Sequence, residues 1–88
     1  MARFSRIEVA LQMKKSGIVP LFYHADPATC TEVIKACYNG GMRIFEFTNR
    51  GDFAHEVFSE VRKYATNNLP DLIFGVGSVI DHGTCSLY

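Results

Sequence analysis

The sequence has 88 residues, of which 48% are hydrophobic, and its nine basic side chains balance nine acidic ones. This length and composition predict one small globular domain, 1–88. A balanced charge argues against a nucleic-acid partner, because proteins that bind phosphate backbones carry a basic excess. The longest apolar run, residues 18–23, is far shorter than the roughly 20 residues that cross a bilayer, so no membrane partner is expected.

The cysteines and the N-terminal segment indicate the cellular compartment. Charged residues occur throughout the first 15 positions, which therefore lack the apolar core of a secretory signal. The three cysteines are an odd number without the spacing of a zinc site or of a disulfide framework. We expect a cytoplasmic protein with free thiols, no bound metal and no cofactor.

Hydrophobic periodicity predicts alternating helices and strands. Local signals mark their ends: Ser5 and Asp26 suit N-caps, Pro27 suits a first helical position, and Pro20 marks the first strand as an edge or bulged strand. Asp81 is expected to cap a further helix. In chain order, the predicted elements are a helix at 5–15, a strand at 17–24, a helix at 27–39, a strand at 42–48, a helix at 52–67 and a strand at 71–79.

Strands that recur every ~25 to 30 residues and alternate with helices predict a parallel sheet built from βα units. Three such units fit two architectures, an open doubly wound sheet or the first three units of a (β/α)8 barrel that this chain leaves incomplete. A dinucleotide site in the open sheet would need three glycines after a strand. The segment 75–80, GVGSVI, supplies only two of them, which argues against that site.

The second strand places a carboxylate on a face that should be interior. Alternation puts Glu46 on the same face as Ile44 and Thr48, opposite Phe45 and Phe47. A carboxylate there must be paired, protonated or in a wet cavity. Two interpretations remain open: an inward charge at an exposed sheet edge that discourages aggregation, or a general acid/base near the C-terminal end of a parallel strand.

Other polar residues are expected at the same end of the sheet. Thr48 and Arg50 provide a hydroxyl and a guanidinium suited to binding a carboxylate or a phosphate. Gly77 and Ser78 end the third strand, where backbone N–H groups can approach an anion, although small residues there also suit tight packing. His24 ends the first strand and reaches the same place. We predict that these five residues bind a small anionic substrate.

Three segments, GIVPLFYHADP, GGMRIFEFTNR and DLIFGVGSV, resemble the N-terminal part of the bacterial 2-keto-3-deoxy-6-phosphogluconate and 4-hydroxy-2-oxoglutarate aldolases. The most specific piece is the Glu-x-Thr-x-Arg element of Glu46, Thr48 and Arg50, followed by Gly-x-Gly-Ser-Val. The resemblance covers the chain from about Gly17 onward. It implies a trimeric (β/α)8-barrel lyase with a leading helix, which cleaves a 2-keto-3-deoxy (phospho)sugar acid or 4-hydroxy-2-oxoglutarate to pyruvate and an aldehyde.

The same resemblance implies roles for individual residues. Glu46 would shuttle protons, Arg50 would anchor the pyruvate carboxylate, and Ser78 would stand in place of a threonine. His24 departs from the family, which usually has an arginine before the Ala-Asp pair after this strand. The Schiff-base lysine of the family lies on the sixth strand, so we expect the 88-residue chain alone to be inactive. The lysines present, all on predicted helices, are Lys14, Lys15, Lys35 and Lys63.

Two further hypotheses remain open beside the aldolase. One is a non-catalytic α/β module, a truncated unit that serves in interaction or folding. A phosphate-handling barrel of the phosphoribosylanthranilate-isomerase type also carries acid/base residues at strand ends. It gives no reason for the trio of Glu46, Thr48 and Arg50.

Overall fold

A computed structural model describes residues 3–88 and contains one sheet of three parallel strands with four helices. The predicted α/β class and parallel pairing are confirmed. No helix in the described range is both long and apolar enough to cross a membrane. The elements are α1 (Arg6–Ser16), β1 (Leu21–Phe22), α2 (Pro27–Asn39), β2 (Ile44–Thr48), α3 (Ala54–Asn68), β3 (Ile73–Gly77) and α4 (His82–Cys85).

Local capping chemistry explains where three of the helices begin. The Ser5 hydroxyl accepts a hydrogen bond from the Glu8 N–H, and the Glu8 carboxylate accepts one from the Ser5 N–H. The Asp26 carboxylate accepts from two backbone N–H groups in the first turn of α2, and the Asp81 carboxylate accepts from Thr84 at the start of α4. Each side chain satisfies N–H groups that have no partner within the helix.

Two predicted boundaries are wrong. The strand predicted at 17–24 pairs only over β1, because Pro20 has no N–H to donate and joins the sheet through its carbonyl, which accepts from the Glu46 N–H at 2.8 Å. The helix predicted from residue 52 begins at Ala54, since Phe53 adopts a left-handed conformation with φ of 58°. The other strands lie within their predicted ranges, two residues shorter at one or both ends.

The helices α2 and α3 pack together on one face of the sheet. Phe45 and Phe47 of β2 point into this layer, where Phe47 is fully buried and its ring meets that of Phe58 edge to face at 5.7 Å. The cluster is the hydrophobic core, and its other members come mainly from the two helices: Cys30, Ile34, Ala54, Val57, Phe58, Val61, Ala65, Leu69 and Leu72.

The opposite face is covered only in part. The helix α1 contacts β2, and Ile44 at the start of that strand is 3% exposed. Leu21, which lies beside Glu46 in the register, is 56% exposed. We call the side of the sheet where the strands begin the amino edge and the side where they end the carboxyl edge. Thr48 at the end of β2 is buried on this face, so the uncovered part of the face lies around Leu21.

Strand order β1-β2-β3 with both connecting helices on one face matches the predicted succession of βα units. Three units in this order are common to the start of a (β/α)8 barrel and to one half of a doubly wound sheet. In both architectures, the functional residues lie at the C-terminal ends of the parallel strands. The carboxyl edge is therefore the place to look for a site.

Candidate functional site

Glu46 lies in the middle strand of the sheet, which excludes its interpretation as an edge charge. Its register partners are Leu21 in β1 and Gly75 in β3, so β2 is paired on both sides. A charge that discourages aggregation acts on an unpaired outer strand. The carboxylate of Glu46 therefore needs a different explanation from the one that applies to edge strands.

The Glu46 carboxylate lies directly over Gly77. A Cβ atom built on Gly77 would overlap the carboxylate carbon and would approach both carboxylate oxygens. Any side chain at that position would displace the acid, so glycine at 77 is what allows it to lie there. Gly77 pairs with Thr48 in the register, which means that the carboxylate leans along β2 toward the carboxyl edge.

Thr48 presents a buried hydroxyl close to this acid. Its side chain is 4% exposed, and its Oγ1 atom has no hydrogen-bond partner among the described residues. An unsatisfied buried polar group costs on the order of 1–3 kcal/mol, so such groups are unusual in folded proteins. Thr48 and Glu46 alternate onto the same face of β2. A buried hydroxyl without a partner and a half-buried carboxylate thus share one end of one strand.

Arg50 follows two residues beyond β2 and is exposed. The ion pairs found within residues 3–88 join Arg43 to Asp71 and Lys63 to Glu60, so neither uses this guanidinium. The preceding residue fixes the direction of the chain, since the Asn49 N–H donates to the Gly77 carbonyl at 3.0 Å. Arg50 therefore leaves the sheet beside the end of β3, with its positive charge available to an anion.

Ser78 follows β3 directly and has a left-handed backbone with φ of 59°. Its side chain is exposed, and its carbonyl accepts a hydrogen bond from Nδ2 of Asn49 at 3.3 Å. This contact joins the residue after β2 to the residue after β3. Ser78 is accordingly at the carboxyl edge, next to Gly77, as the sequence predicts.

His24 also lies at the carboxyl edge, two residues after β1, but part of its ring is already engaged. Its Nδ1 atom accepts a hydrogen bond from the Asp26 N–H at 2.9 Å, and its carbonyl accepts one from the Cys30 thiol at 3.2 Å. A ring nitrogen that accepts a hydrogen bond carries no proton. Burial raises the pKa of the Cys30 thiol. His24 thus shapes the turn into α2 and leaves only Nε2 for a ligand.

Four residues at this edge were not predicted from the sequence: Tyr23, Asn49, Gly51 and Tyr88. A Cβ built on Gly51 would overlap the ring and hydroxyl of Tyr23, whose ring meets Phe47 edge to face at 5.6 Å. Asn49 contacts Tyr88 as well, since the Tyr88 hydroxyl donates to its Oδ1 atom at 2.7 Å. Asn49 stands inside the Glu-x-Thr-x-Arg element, which is the one local signal that could have drawn attention to it.

The four lysines lie on helices, as expected, with Lys14 and Lys15 on α1, Lys35 on α2 and Lys63 on α3. None of them belongs to a strand end. Within residues 3–88, no three His, Cys, Asp or Glu side chains group together as metal ligands do. Arg50 is the cationic side chain that the described chain brings to the carboxyl edge.

No family model matches this sequence, and no curated protein matches it. The site is therefore characterised by its own geometry. A carboxylate, a buried hydroxyl and a guanidinium follow one another at the end of a central parallel strand, beside a glycine that makes room for the acid. Such a group of residues can move a proton next to a bound carboxylate.

Proposed function

We propose that this chain is the N-terminal portion of a pyruvate-dependent class I aldolase built on a (β/α)8 barrel. The observation that carries the proposal is the position of the Glu46 carboxylate, which lies over Gly77 on the central strand. Thr48 and Arg50 follow on the same strand end, in the spacing by which the sequence resembles the aldolases. The enzyme would work in the cytoplasm in carbohydrate metabolism, without a metal or an organic cofactor, and would assemble as a trimer.

The reaction would cleave a 2-keto-3-deoxy (phospho)sugar acid or 4-hydroxy-2-oxoglutarate. In retro-aldol cleavage a base takes the proton of the hydroxyl at the carbon that becomes the aldehyde. The adjacent C–C bond then breaks, and its electron pair moves into an iminium formed between the keto carbon and a lysine. Glu46 suits the role of base because its carboxylate is held at the carboxyl edge with no side-chain partner within residues 3–88.

The residues around Glu46 would hold the substrate. Arg50 can pair with its carboxylate through two parallel hydrogen bonds, and the Thr48 hydroxyl, unpartnered within residues 3–88, can donate to it. Ser78 adds a hydroxyl beside Gly77, where the backbone is accessible. His24 would face a more distant part of the substrate through Nε2. The iminium lysine must come from further βα units, because the lysines of these 88 residues lie on helices.

A second function, a non-catalytic α/β module, is favoured by one observation, namely that no strand end in the described chain carries a lysine. In this alternative the chain acts as an interaction or folding unit, and its polar strand ends have no substrate. The two proposals differ in whether pyruvate becomes covalently attached to a polypeptide that contains these residues.

The test begins with the polypeptide translated from the whole reading frame that encodes this chain. It is incubated with pyruvate and borohydride, and the adduct is located by mass spectrometry. The proposal expects an adduct on a lysine outside the 88 residues, pyruvate release from substrate by the wild type, and a loss of about 100-fold or more in Glu46→Gln. Glu56→Gln, an exposed change on α3, is the matched control and should keep full activity.

The same measurements can refute the proposal. A reading frame that supplies no strand-borne lysine, or a polypeptide that gives no adduct, would favour the non-catalytic module. The isolated 88-residue chain should give neither adduct nor pyruvate. Pyruvate release by that chain, abolished in Glu46→Gln, would contradict the assignment of the nucleophile.

A further inference from the structure

Asn49 makes three hydrogen bonds that join separate parts of the chain. Its N–H donates to the Gly77 carbonyl at 3.0 Å, its Nδ2 donates to the Ser78 carbonyl at 3.3 Å, and its Oδ1 accepts from the Tyr88 hydroxyl at 2.7 Å. Both polar atoms of this side chain thus make a hydrogen bond within the protein. These two bonds fix the position and the direction of the Asn49 amide, which suits a structural or positioning role.

We propose that Asn49, oriented by Tyr88, is a positioning residue that sets Ser78 relative to Arg50 at the carboxylate-binding end of the site. The inference rests on the proposed function, because it assumes that Arg50 and Ser78 bind one carboxylate. It adds to that function two residues that contact no substrate, one of them 39 positions away in the sequence.

Ser78 needs such a contact because its backbone is strained. A left-handed conformation with φ of 59° is less favourable for a residue with a Cβ than for glycine. The Ser78 side chain is exposed and makes no hydrogen bond within residues 3–88. Its carbonyl bond to Asn49 is therefore the contact that opposes relaxation of this residue. If it relaxed, its hydroxyl would leave the position beside Gly77.

Tyr88 fixes which way the Asn49 amide points. Its hydroxyl is a donor to Oδ1, so the opposite side of the amide, the Nδ2 donor, faces Ser78. The Tyr88 ring is held in turn against Phe58, edge to face at 5.0 Å, and Phe58 stacks on Phe74 at 4.9 Å. Burial raises the pKa of the Tyr88 hydroxyl, which keeps it protonated as a donor. The core layer thus supports the orientation of an amide at the carboxyl edge.

The test uses the 88-residue chain labelled with nitrogen-15, with pyruvate itself as the probe. Two variants remove the proposed contacts, Asn49→Ala and Tyr88→Phe, and neither changes the charge of the site. Asn67→Ala and Tyr64→Phe are the matched controls, since neither side chain makes a hydrogen bond within residues 3–88. Amide spectra follow Gly77 and Ser78, pyruvate titrations give dissociation constants, and urea unfolding gives the stability of each variant.

The proposal expects pyruvate to shift the amides of Arg50, Gly77 and Ser78 in the wild type. Asn49→Ala should weaken pyruvate binding about tenfold and Tyr88→Phe about threefold. Both are measured without urea, under conditions in which the unfolding curve shows the variant to be fully folded. Both should move the Gly77 and Ser78 amides in the absence of pyruvate. The two control variants should leave the spectra and the dissociation constant unchanged.

Two results would overturn the inference, and they are distinguishable. If both variants lower stability or move the Ser78 amide but bind pyruvate like the wild type, Asn49 is only a structural contact and the proposed function is untouched. If the wild type itself shows no saturable pyruvate shifts, the carboxylate site fails, and the positioning role fails with it. Should Asn49→Ala not fold, Tyr88→Phe decides alone, because it removes a single oxygen atom and keeps the ring against Phe58.

Discussion

The charged side chains at the two edges of the sheet differ in whether they have partners within the protein. At the amino edge, Arg43 pairs with Asp71 at 3.2 Å, lies 3.8 Å from the centre of the Tyr38 ring, and donates to the carbonyls of Tyr38 and Met42 at 2.9 and 2.8 Å. The Tyr38 hydroxyl is hydrogen-bonded to the same Asp71 carboxylate. Both of these charged side chains therefore have partners within the protein.

At the carboxyl edge, the three side chains of the proposed site have no such partners within residues 3–88. Arg50 makes no ion pair in the described chain, and the Thr48 hydroxyl is buried without a hydrogen bond. The Glu46 carboxylate is accommodated by Gly77 rather than held by a donor. Strand β2 contributes to both edges, so this difference in pairing does not arise because different strands form them. It agrees with the roles proposed above, in which the amino edge stabilises the fold and the carboxyl edge binds a substrate.

Replacing the two arginines should separate these roles most strongly. Arg43→Ala removes two hydrogen bonds to carbonyls and the contact with the Tyr38 ring, so we expect the free energy of unfolding to fall by about 3 kcal/mol. Arg50→Ala is expected to stay within about 0.5 kcal/mol of the wild type, as exposed changes usually do. Urea unfolding measures both. Equal losses in the two variants would contradict a division of labour between the edges.

Two glycines at the carboxyl edge allow a finer comparison. Gly51→Ala would force a Cβ into the Tyr23 ring, which packs against the core residue Phe47, and should cost about 2 kcal/mol. Gly77→Ala meets only the end of the flexible Glu46 side chain, so it should cost less than about 1 kcal/mol and displace the carboxylate.

Urea unfolding gives the stabilities of both glycine variants, and the carbon-13 signal of the Glu46 carboxylate reports its displacement. Gly75→Ala is a suitable control, because a Cβ on Gly75 meets nothing within 4 Å. An unchanged Glu46 signal in Gly77→Ala would show that the acid does not lie over this glycine.

The smallest expected effect is the acid sensitivity of the amino edge. The Tyr38 hydroxyl, with Arg43, lowers the pKa of Asp71 in the folded protein. A carboxylate with a lowered folded pKa stabilises the protein above its unfolded pKa of about 3.9, and this contribution is lost as the pH falls through the folded pKa. Stability should therefore decrease below about pH 4, and Asp71→Asn should flatten this decrease.

Tyr38→Phe provides the control for the acid prediction, because it removes the hydroxyl that is the main cause of the shift. Its unfolding midpoint between about pH 2 and pH 6 should follow that of Asp71→Asn, and the double variant should add little. Additive effects of the two substitutions would mean that the hydroxyl and the carboxylate act independently.

Local signals predicted the helices better than the strands. The helix α2 runs over the predicted range because Asp26, Pro27 and Gly40 are all local determinants of where a helix begins and ends. The extent of β1 depends instead on how many residues meet β2, and apolar composition does not determine that number. The left-handed conformation of Phe53, which delays the start of α3, also has no signal in its residue type.

The site was predictable only in part, for a similar reason. Alternation along β2 put Glu46 and Thr48 on one face, and parallel pairing put Arg50 and Ser78 at one edge, in agreement with the structure. Whether Glu46 stands in an outer or a middle strand depends on strand order, which the sequence left open. The contact between Asn49 and Tyr88 spans 39 residues and joins side chains with no shared pattern.

The outer edge of β3 has a consequence for how this sheet can grow. The Ile73 N–H donates to the Arg43 carbonyl, and the Gly77 carbonyl accepts from the Asn49 N–H, so these groups point toward β2. Because backbone groups alternate along a strand, the N–H and C=O groups of Phe74 and Val76 point outward. This strand has five residues and neither charge nor proline, whereas β1 at the other side has two and follows Pro20. A fourth strand can therefore pair over its full length beside β3 but not beside β1, so strands are added to this sheet on the β3 side.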